Sequence, residues 1–261
     1  MHFLIRFFAL LSFFINYREL AAVSSSIPKG QNIPQILKQC QKNDPKLNEC
    51  LKNAIESVRP NLAKGIPELL IPKCEPLKVP EIRIIQNAGA IRVESQYNDV
   101  IIHGLSNFTL RDINVDPVSK RFRADLWFPH LQMTSNYIIQ GKVLLMPLVG
   151  NGLATGNFSD VDATITIKKK DSSDVDRAHE NSEKIGDIKV EFNIGSASVK
   201  LDNLFNGEPE IGEMMNGFLN NNWREITAEI RPALAESIER ILYGIANQLD
   251  KKYGLNNILQ E

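Results

Sequence analysis

His103-Gly104-Leu105-Ser106 sets a base and a hydroxyl nucleophile three positions apart, the two side-chain types that acyl-transfer enzymes bring together. That chemistry also needs an acid to orient the histidine. The stretch has no evident acid partner and the wrong order for a G-x-S-x-G elbow. Glu208 and Glu210 have the types of a glycosidase pair, but around Pro209 they read first as acids at the positive end of a helix dipole. Three cysteines (Cys40, Cys50, Cys74) and the scattered His103, His130 and His179 supply too few ligands at too irregular a spacing to hold zinc. A Gly-rich phosphate loop is also missing. The sequence therefore predicts a protein that is not an enzyme and needs neither a metal nor another cofactor.

What the chain has in excess is apolar surface. Over 208–254, Ile211, Met215, Leu219, Trp223, Ile226, Ile230, Leu234, Ile238, Ile241, Ile245 and Leu249 recur in steps of three and four, one face of an α-helix. Pro209 with Glu208, Glu210 and Glu213 suits its start, and Lys251, Lys252 and Gly254 suit its end. The expectation is one helix of roughly 65 Å, bent at Pro232, where the missing amide and the ring's clash with Ala228 disturb the ladder. Only the rest of the chain, laid along it, can keep such a stripe dry.

The rest reads as strands. Ile82 and Ile84, Ile91 and Val93, the set Phe122, Ala124, Leu126, Phe128, the set Ile139, Gly141, Val143, Leu145, the set Val161, Ala163, Ile165, Ile167, and finally Ile188, Val190, Phe192, Ile194 alternate with polar neighbours. Such alternation predicts antiparallel strands with one wet face across 79–204. Asn87-Ala88-Gly89 and Val149-Gly150-Asn151-Gly152 are the expected turns, Gly195 an expected bulge, and the charged stretch 168–186 an expected exposed loop. Ahead of the strands, Leu47, Cys50, Leu51, Ala54, Ile55, Val58 and Leu62 predict an amphipathic helix capped by Asp44-Pro45, with a bend or end at Arg59-Pro60.

Arg6 precedes the apolar run 7–15, and the small residues Ala21, Ala22, Ser24 and Ser25 follow. This is the pattern of a signal peptide over 1–22, too short to span a bilayer, leaving a single domain over 23–261. In a secreted chain Asn107-Phe108-Thr109 and Asn157-Phe158-Ser159 are candidate glycosylation sites at Asn107 and Asn157. A bridge between Cys40 and Cys50 would close a small loop and stabilise by about 2–3 kcal/mol, leaving Cys74 free or paired with another molecule. A formal charge of −1 gives no push toward nucleic acid. A long helix under curved strands makes an elongated interior, and periodicity alone leaves open whether side chains fill it or leave a tunnel.

Several stretches carry a resemblance: Leu62-Ala63-Lys64-Gly65-Ile66-Pro67-Glu68-Leu69, His103-Gly104-Leu105-Ser106, Tyr137 and Gly141 leading to Pro147, Gly150 and Gly152, Leu201-Asp202-Asn203-Leu204-Phe205-Asn206-Gly207, and Leu219-Asn220-Asn221-Asn222-Trp223-Arg224-Glu225-Ile226. In order and spacing the chain resembles the insect takeout and juvenile-hormone-binding proteins over its mature length. The resemblance implies an α+β fold: a long C-terminal helix wrapped by a strongly curved antiparallel β-sheet, enclosing an elongated hydrophobic tunnel. It also implies a Cys40–Cys50 disulfide and a secreted carrier of juvenile hormone, another terpenoid or a fatty-acid-like lipid. Cys74 stands where that family usually has an acid. The expected tunnel wall is Trp127, Phe128, Leu131, Tyr137, Ile139, Leu144, Phe158, Phe218, Trp223 and Ile226, with Tyr137 and Trp223 able to hydrogen-bond a polar ligand end. The expected partner is one small hydrophobic ligand, bound by a monomer without stable membrane insertion and without nucleic acid, a receptor being left open. The rival expectations are a solid-cored signalling or structural protein and a lipid esterase.

Overall fold

A computed structural model describes residues 40–69, 71–87, 89–116, 118–119, 121–169, 185–253 and 259–260. The expected leader at 1–22 lies outside them. β1 (Cys40–Gln41) is followed by α1 (Leu47–Leu62), then β2 (Leu77–Gln86), β3 (Ile91–His103), β4 (Thr109–Asp116), β5 (Arg121–Val143), β6 (Met146–Lys169), β7 (Ile185–Leu201), α2 (Pro209–Asn221), α3 (Trp223–Tyr253) and β8 (Leu259–Gln260). The strands β2 to β7 form one antiparallel sheet in the order β2-β3-β5-β6-β7, with β4 on β5. The fold is α+β.

Strand length departs from expectation. The alternating runs at 122–128 and 139–145 belong to one 23-residue strand, β5, which ends at Val143. Its partner β6 runs 24 residues straight through Val149-Gly150-Asn151-Gly152, which is therefore not a turn. The reversal comes earlier, at Leu144-Leu145, where Leu144 takes φ 56°. The glycines instead make room. A Cβ on Gly150 would lie 2.7 Å from the Tyr137 hydroxyl, and one on Gly152 2.6 Å from the Asp202 carbonyl. Thr109–Asp116 lacks clean alternation because a register shift between Leu110 and Asp112 breaks its period. The stretch expected as a loop over 168–186 is trimmed by strand at both ends, to Lys169 and from Ile185, and 170–184 lies outside the described residues.

Gly195 is not a bulge. Ser159 pairs Ser196 and Val161 pairs Ile194 in one unbroken register, and the same line continues into β5 through Phe128–Val161 and His130–Ser159. Pro129, Asp160 and Gly195 thus stand side by side across three strands. At this line each strand swaps its buried face, from Ala124 and Phe128 to Tyr137 and Ile139, from Leu148 and Ala154 to Val161, and from Ile188 and Val190 to Leu201. Asp160 makes the swap with φ 53°, and a Cβ on Gly195 would meet the Asp160 Cβ at 2.7 Å. The apolar side stays continuous: Leu131 and Phe158 beyond the line pack with Phe128 and Val161 before it.

The C-terminal element is also corrected. Instead of one helix over 208–254 bent at Pro232, α2 and α3 are separate and break at Asn222, whose φ, ψ are −113°, 22°. Asn222 closes α2 by donating its amide to the Phe218 carbonyl at 2.7 Å. Pro232 sits inside unbroken α3, exposed beside an exposed Ala228, so water can reach the carbonyl that the proline leaves without a donor. At 31 residues α3 spans about 46 Å.

Side chains of both helices reach β7 at its free edge. Asn216 takes the Leu201 amide and donates to the Leu201 carbonyl, both at 2.9 Å, and Asn220 does the same with Val199 at 2.8 Å. One turn apart on α2, the two amides act as a surrogate strand. Further along, Glu239 of α3 accepts the Val190 amide at 2.8 Å, while Leu242 and Ala246 pack on Ile188 and Val190. The other edge strand, β2, reaches α3 too, where the Ser237 hydroxyl, 3.0 Å from the Ala233 carbonyl of its own helix, also comes within 3.4 Å of the Arg83 carbonyl. Both ends of the sheet therefore close on one helix, and the sheet curls around it.

α1 covers β4, with Leu51 and Ile55 on the cluster of Phe108, Leu110, Ile113, Ala124, Phe128 and Val161. It begins at Leu47, later than expected, because Asp44 instead turns the chain by accepting the Lys46 amide at 2.8 Å. It passes through Pro60 without a break. The Cys40–Cys50 disulfide is present, and parallel pairing of β1 with β8 brings the C-terminal segment beside it.

Candidate functional site

On α3 a step of 100° per residue puts Leu234, Ile238, Ile241 and Ile245 on one narrow stripe. Ser237, against β2, lies on one flank; Glu239, Leu242 and Ala246, against β7, lie on the other. Glu236, Arg240 and Tyr243 occupy the opposite, exposed side. The stripe therefore looks between the two sheet edges into the concave side of the wrap. None of its four residues joins a packed core cluster of the described residues, and Ile238 keeps 38 % of its surface exposed. The sequence periodicity contains all four but does not separate them from the packed Ile226 and Ile230.

At the other end, where α3 begins, an open pocket of about 380 Å³ lies between the β2–β3 hairpin and the helix. It is bordered by Ala90, Ile91, Leu144, Glu225, Ile226 and Glu229 among others. Leu144 and Ile226 are the two expected wall residues that it brings together. The other expected residues divide. Tyr137 and Ile139 are buried in the cluster closed by Met215 and Leu219, with Phe218 and Ile226 against it. Phe128, Leu131 and Phe158 belong to the cluster beneath α1. Trp127 is one pleat step from Phe128 and stands on the opposite face, where the Arg111 guanidinium lies 5.6 Å over its ring. Trp223 opens α3 with Arg224 at 4.6 Å from its ring centre.

Tyr137 uses its hydroxyl internally. It donates to the Asp202 carbonyl at 2.7 Å, fixing β5 to the turn after β7. Burial, with the nearby Tyr97 and Asp202, pushes the phenol up to about 12. Tyr97, its cross-strand partner, is raised too, again by burial. This pair is a neutral polar seam in an apolar interior.

The stretch His103-Gly104-Leu105-Ser106 does have an acid partner, contrary to the sequence expectation. Glu75 accepts from the Gly104 amide at 2.9 Å and the Ser106 hydroxyl at 3.3 Å, and contacts His103 Nδ1 at 3.1 Å. The carboxylate thus stands between histidine and serine. A relay requires the histidine in that middle place, so the arrangement is a staple joining the β2 entry to the turn Leu105–Asn107. Cys74 next to it is half-buried and unbridged, and burial followed by the Glu75 charge raises its thiol. No group of three or more His, Cys, Asp or Glu among the described residues is placed to hold a metal. No helix among them is long and apolar enough to cross a membrane. Asn107 is exposed at its turn, while Asn157 is half-buried within β6, on the face away from Phe158.

Comparison with known proteins agrees with this architecture. The structure is similar to Takeout 1 of Epiphyas postvittana, with a TM-score of 0.65 at 20 % identity, covering 82 % of this chain and 95 % of that one. In sequence it is 25 % identical to the circadian clock-controlled protein daywake of Drosophila yakuba over 242 residues, 88 % of this chain and 89 % of the relative. A putative beta-carotene-binding protein of Schistocerca gregaria is 26 % identical over 127 residues, 48 % of this chain and 49 % of that protein. The family model for haemolymph juvenile hormone binding protein matches residues 19–260. With fold, disulfide and motif order in agreement, the chain belongs to the haemolymph juvenile hormone binding protein family.

Proposed function

We propose that this protein is a secreted, non-catalytic carrier that holds one elongated apolar ligand in a tunnel on the concave side of the sheet, along α3. The observation that carries this reading is the stripe Leu234, Ile238, Ile241 and Ile245: aliphatic, turned away from the solvent side of the helix, yet not consumed by packing. A packed interior would cover such residues, since cores approach crystal density. Hydrocarbon laid against them gains about 0.8 kcal/mol per methylene. Leu144 and Ile226 at the pocket near the start of α3 form one mouth. Juvenile hormone, another terpenoid or a fatty-acid-like lipid suits this shape, and the beta-carotene for which the locust relative is named is likewise long and apolar. The leader over 1–22, glycosylation at Asn107 and Asn157 and a monomeric state complete the reading.

Extraction of the purified protein followed by mass spectrometry, combined with titration of fluorescent fatty acids, tests it. Co-purified lipid or saturable uptake at one site per chain is expected. A ligand-free protein that takes up no apolar probe overturns the carrier reading, and steady turnover of nitrophenyl esters overturns its non-catalytic part.

A further inference from the structure

Two side-chain polar atoms among the described residues are buried without any hydrogen-bond partner: the Ser135 hydroxyl and the Arg231 Nε. Ser135 is 3 % exposed and lies on the inward face of β5, two residues before Tyr137. Arg231 follows Ile230, which packs on the same cluster as Tyr137, and precedes Leu234 by three positions and Ile238 by seven. It therefore starts the open aliphatic stripe on the same side of α3. Its guanidinium has neither a hydrogen bond nor an ion pair within the described chain, whereas Glu225, Glu229, Glu236 and Glu239 lie on other sides of the helix. Each orphan is thus a near neighbour along the chain of a residue of that cluster, Ser135 of Tyr137 and Arg231 of Ile230.

Arg231 is half-buried and only its Nε is enclosed; leaving that donor without an acceptor is costly, and an aliphatic residue at position 231 would serve a purely apolar wall better. We infer that Arg231 is an anchor for the ionised end of an amphiphile, and that the favoured ligand class is a long-chain carboxylate with its head at Arg231 and its tail along Leu234, Ile238 and Ile241. This rests on the carrier reading above. It deepens that reading by placing the ligand head at Arg231 and by separating free acids from their esters. A guanidinium gives a carboxylate two charge-assisted bonds, which an ester cannot accept with a full negative charge.

The test uses the full secreted chain with the neutral fluorophore N-phenyl-1-naphthylamine, displaced at pH 8 by palmitic acid or by methyl palmitate. The acid is expected to displace at a concentration about ten-fold or more below the ester. Arg231→Met brings the ratio close to one by weakening displacement by the acid. Arg231→Gln, neutral and of similar length, is the second variant should Arg231→Met fail to bind the ester. Equal displacement by acid and ester in the natural chain, or an undiminished ratio in the neutral variants, overturns the anchor and leaves the carrier reading standing. Failure to bind fluorophore, acid and ester alike overturns both.

Discussion

Asn220 and Val199 form a closed pair in which the side-chain amide accepts the strand N–H and returns its own N–H to the strand carbonyl, each at 2.8 Å. Asn216 repeats the arrangement on Leu201 one turn earlier. An edge strand that would otherwise offer its backbone to another chain is thereby finished by a helix. Asn220→Leu keeps the size and strands both Val199 groups at a half-buried edge, so a loss of about 1–3 kcal/mol is expected in urea unfolding. Faster hydrogen exchange at the Val199 amide should accompany it. Unchanged stability and exchange in this variant would show that the pair holds nothing.

Much of this fold is legible in the sequence, because period alone separates helix from strand. The stripe from Ile211 to Leu249 and the alternation around Ala124, Ile165 and Val190 place the right element types. What period cannot report is tertiary hydrogen bonding. The helix breaks at Asn222 rather than Pro232 because asparagine amides are committed to β7 and to the Phe218 carbonyl, a choice invisible in any window of α2 alone. The phase change at Gly195 is visible, but its cause, the alignment with Asp160 and Pro129, requires three strands at once. For the site, large aromatics were the natural wall candidates, and most of them pack. The open surface belongs to aliphatics of α3, whose identity matches that of core residues.

Gly150 tests the close approach of β6 to the turn after β7. A Cβ there would meet the Tyr137 hydroxyl at 2.7 Å and Leu204 atoms at 2.9 and 3.1 Å, with backbone among them. Gly150→Ala must push Leu204 outward or break the Tyr137–Asp202 bond, costing about 1–3 kcal/mol. Thermal unfolding checks this, and a variant as stable as the natural chain contradicts it.

Tyr137 makes stability fall at high pH. An unfolded phenol ionises near its ordinary value of about 10, whereas the folded one stays neutral up to about 12. The unfolded chain thus gives up its proton first, so this contribution is complete below about pH 10 and is lost as pH rises from there toward about 12. Tyr137→Phe should flatten that part of the profile, with Tyr97 accounting for a remainder, and should lower stability at neutral pH by about 1 kcal/mol through the lost bond to Asp202. Denaturant midpoints measured between pH 8 and 12 decide it.

Cys74 is expected to be a slow nucleophile. Its thiol is held above the ordinary range by burial and then by Glu75, and its Sγ lies 3.3 Å from the Pro72 carbonyl. The thiolate reacts, so iodoacetamide at pH 8 should label Cys74 more slowly than an unperturbed cysteine peptide, with the rate still climbing above pH 9. Glu75→Gln removes the second cause and should speed labelling. A rate that levels off below pH 8 would contradict this.

Ile238 separates a hollow wrap from a filled one. It is 38 % exposed, on the side of α3 opposite Glu236 and Arg240, between the contacts to β7 and β2. If that side faced only packed protein, Ile238→Asp would bury a charge and unfold the chain. If it faces a tunnel, water solvates the carboxylate in the free protein, and stability falls by only about 1 kcal/mol. The charge then lies where hydrocarbon must come to rest, so apolar probes should bind at least about ten-fold more weakly. Arg240→Ala, on the solvent side of the same helix, loses a surface ion pair with Glu236 and should leave uptake unchanged. A folded Ile238→Asp protein that takes up probe as well as the natural chain would remove α3 from the binding site.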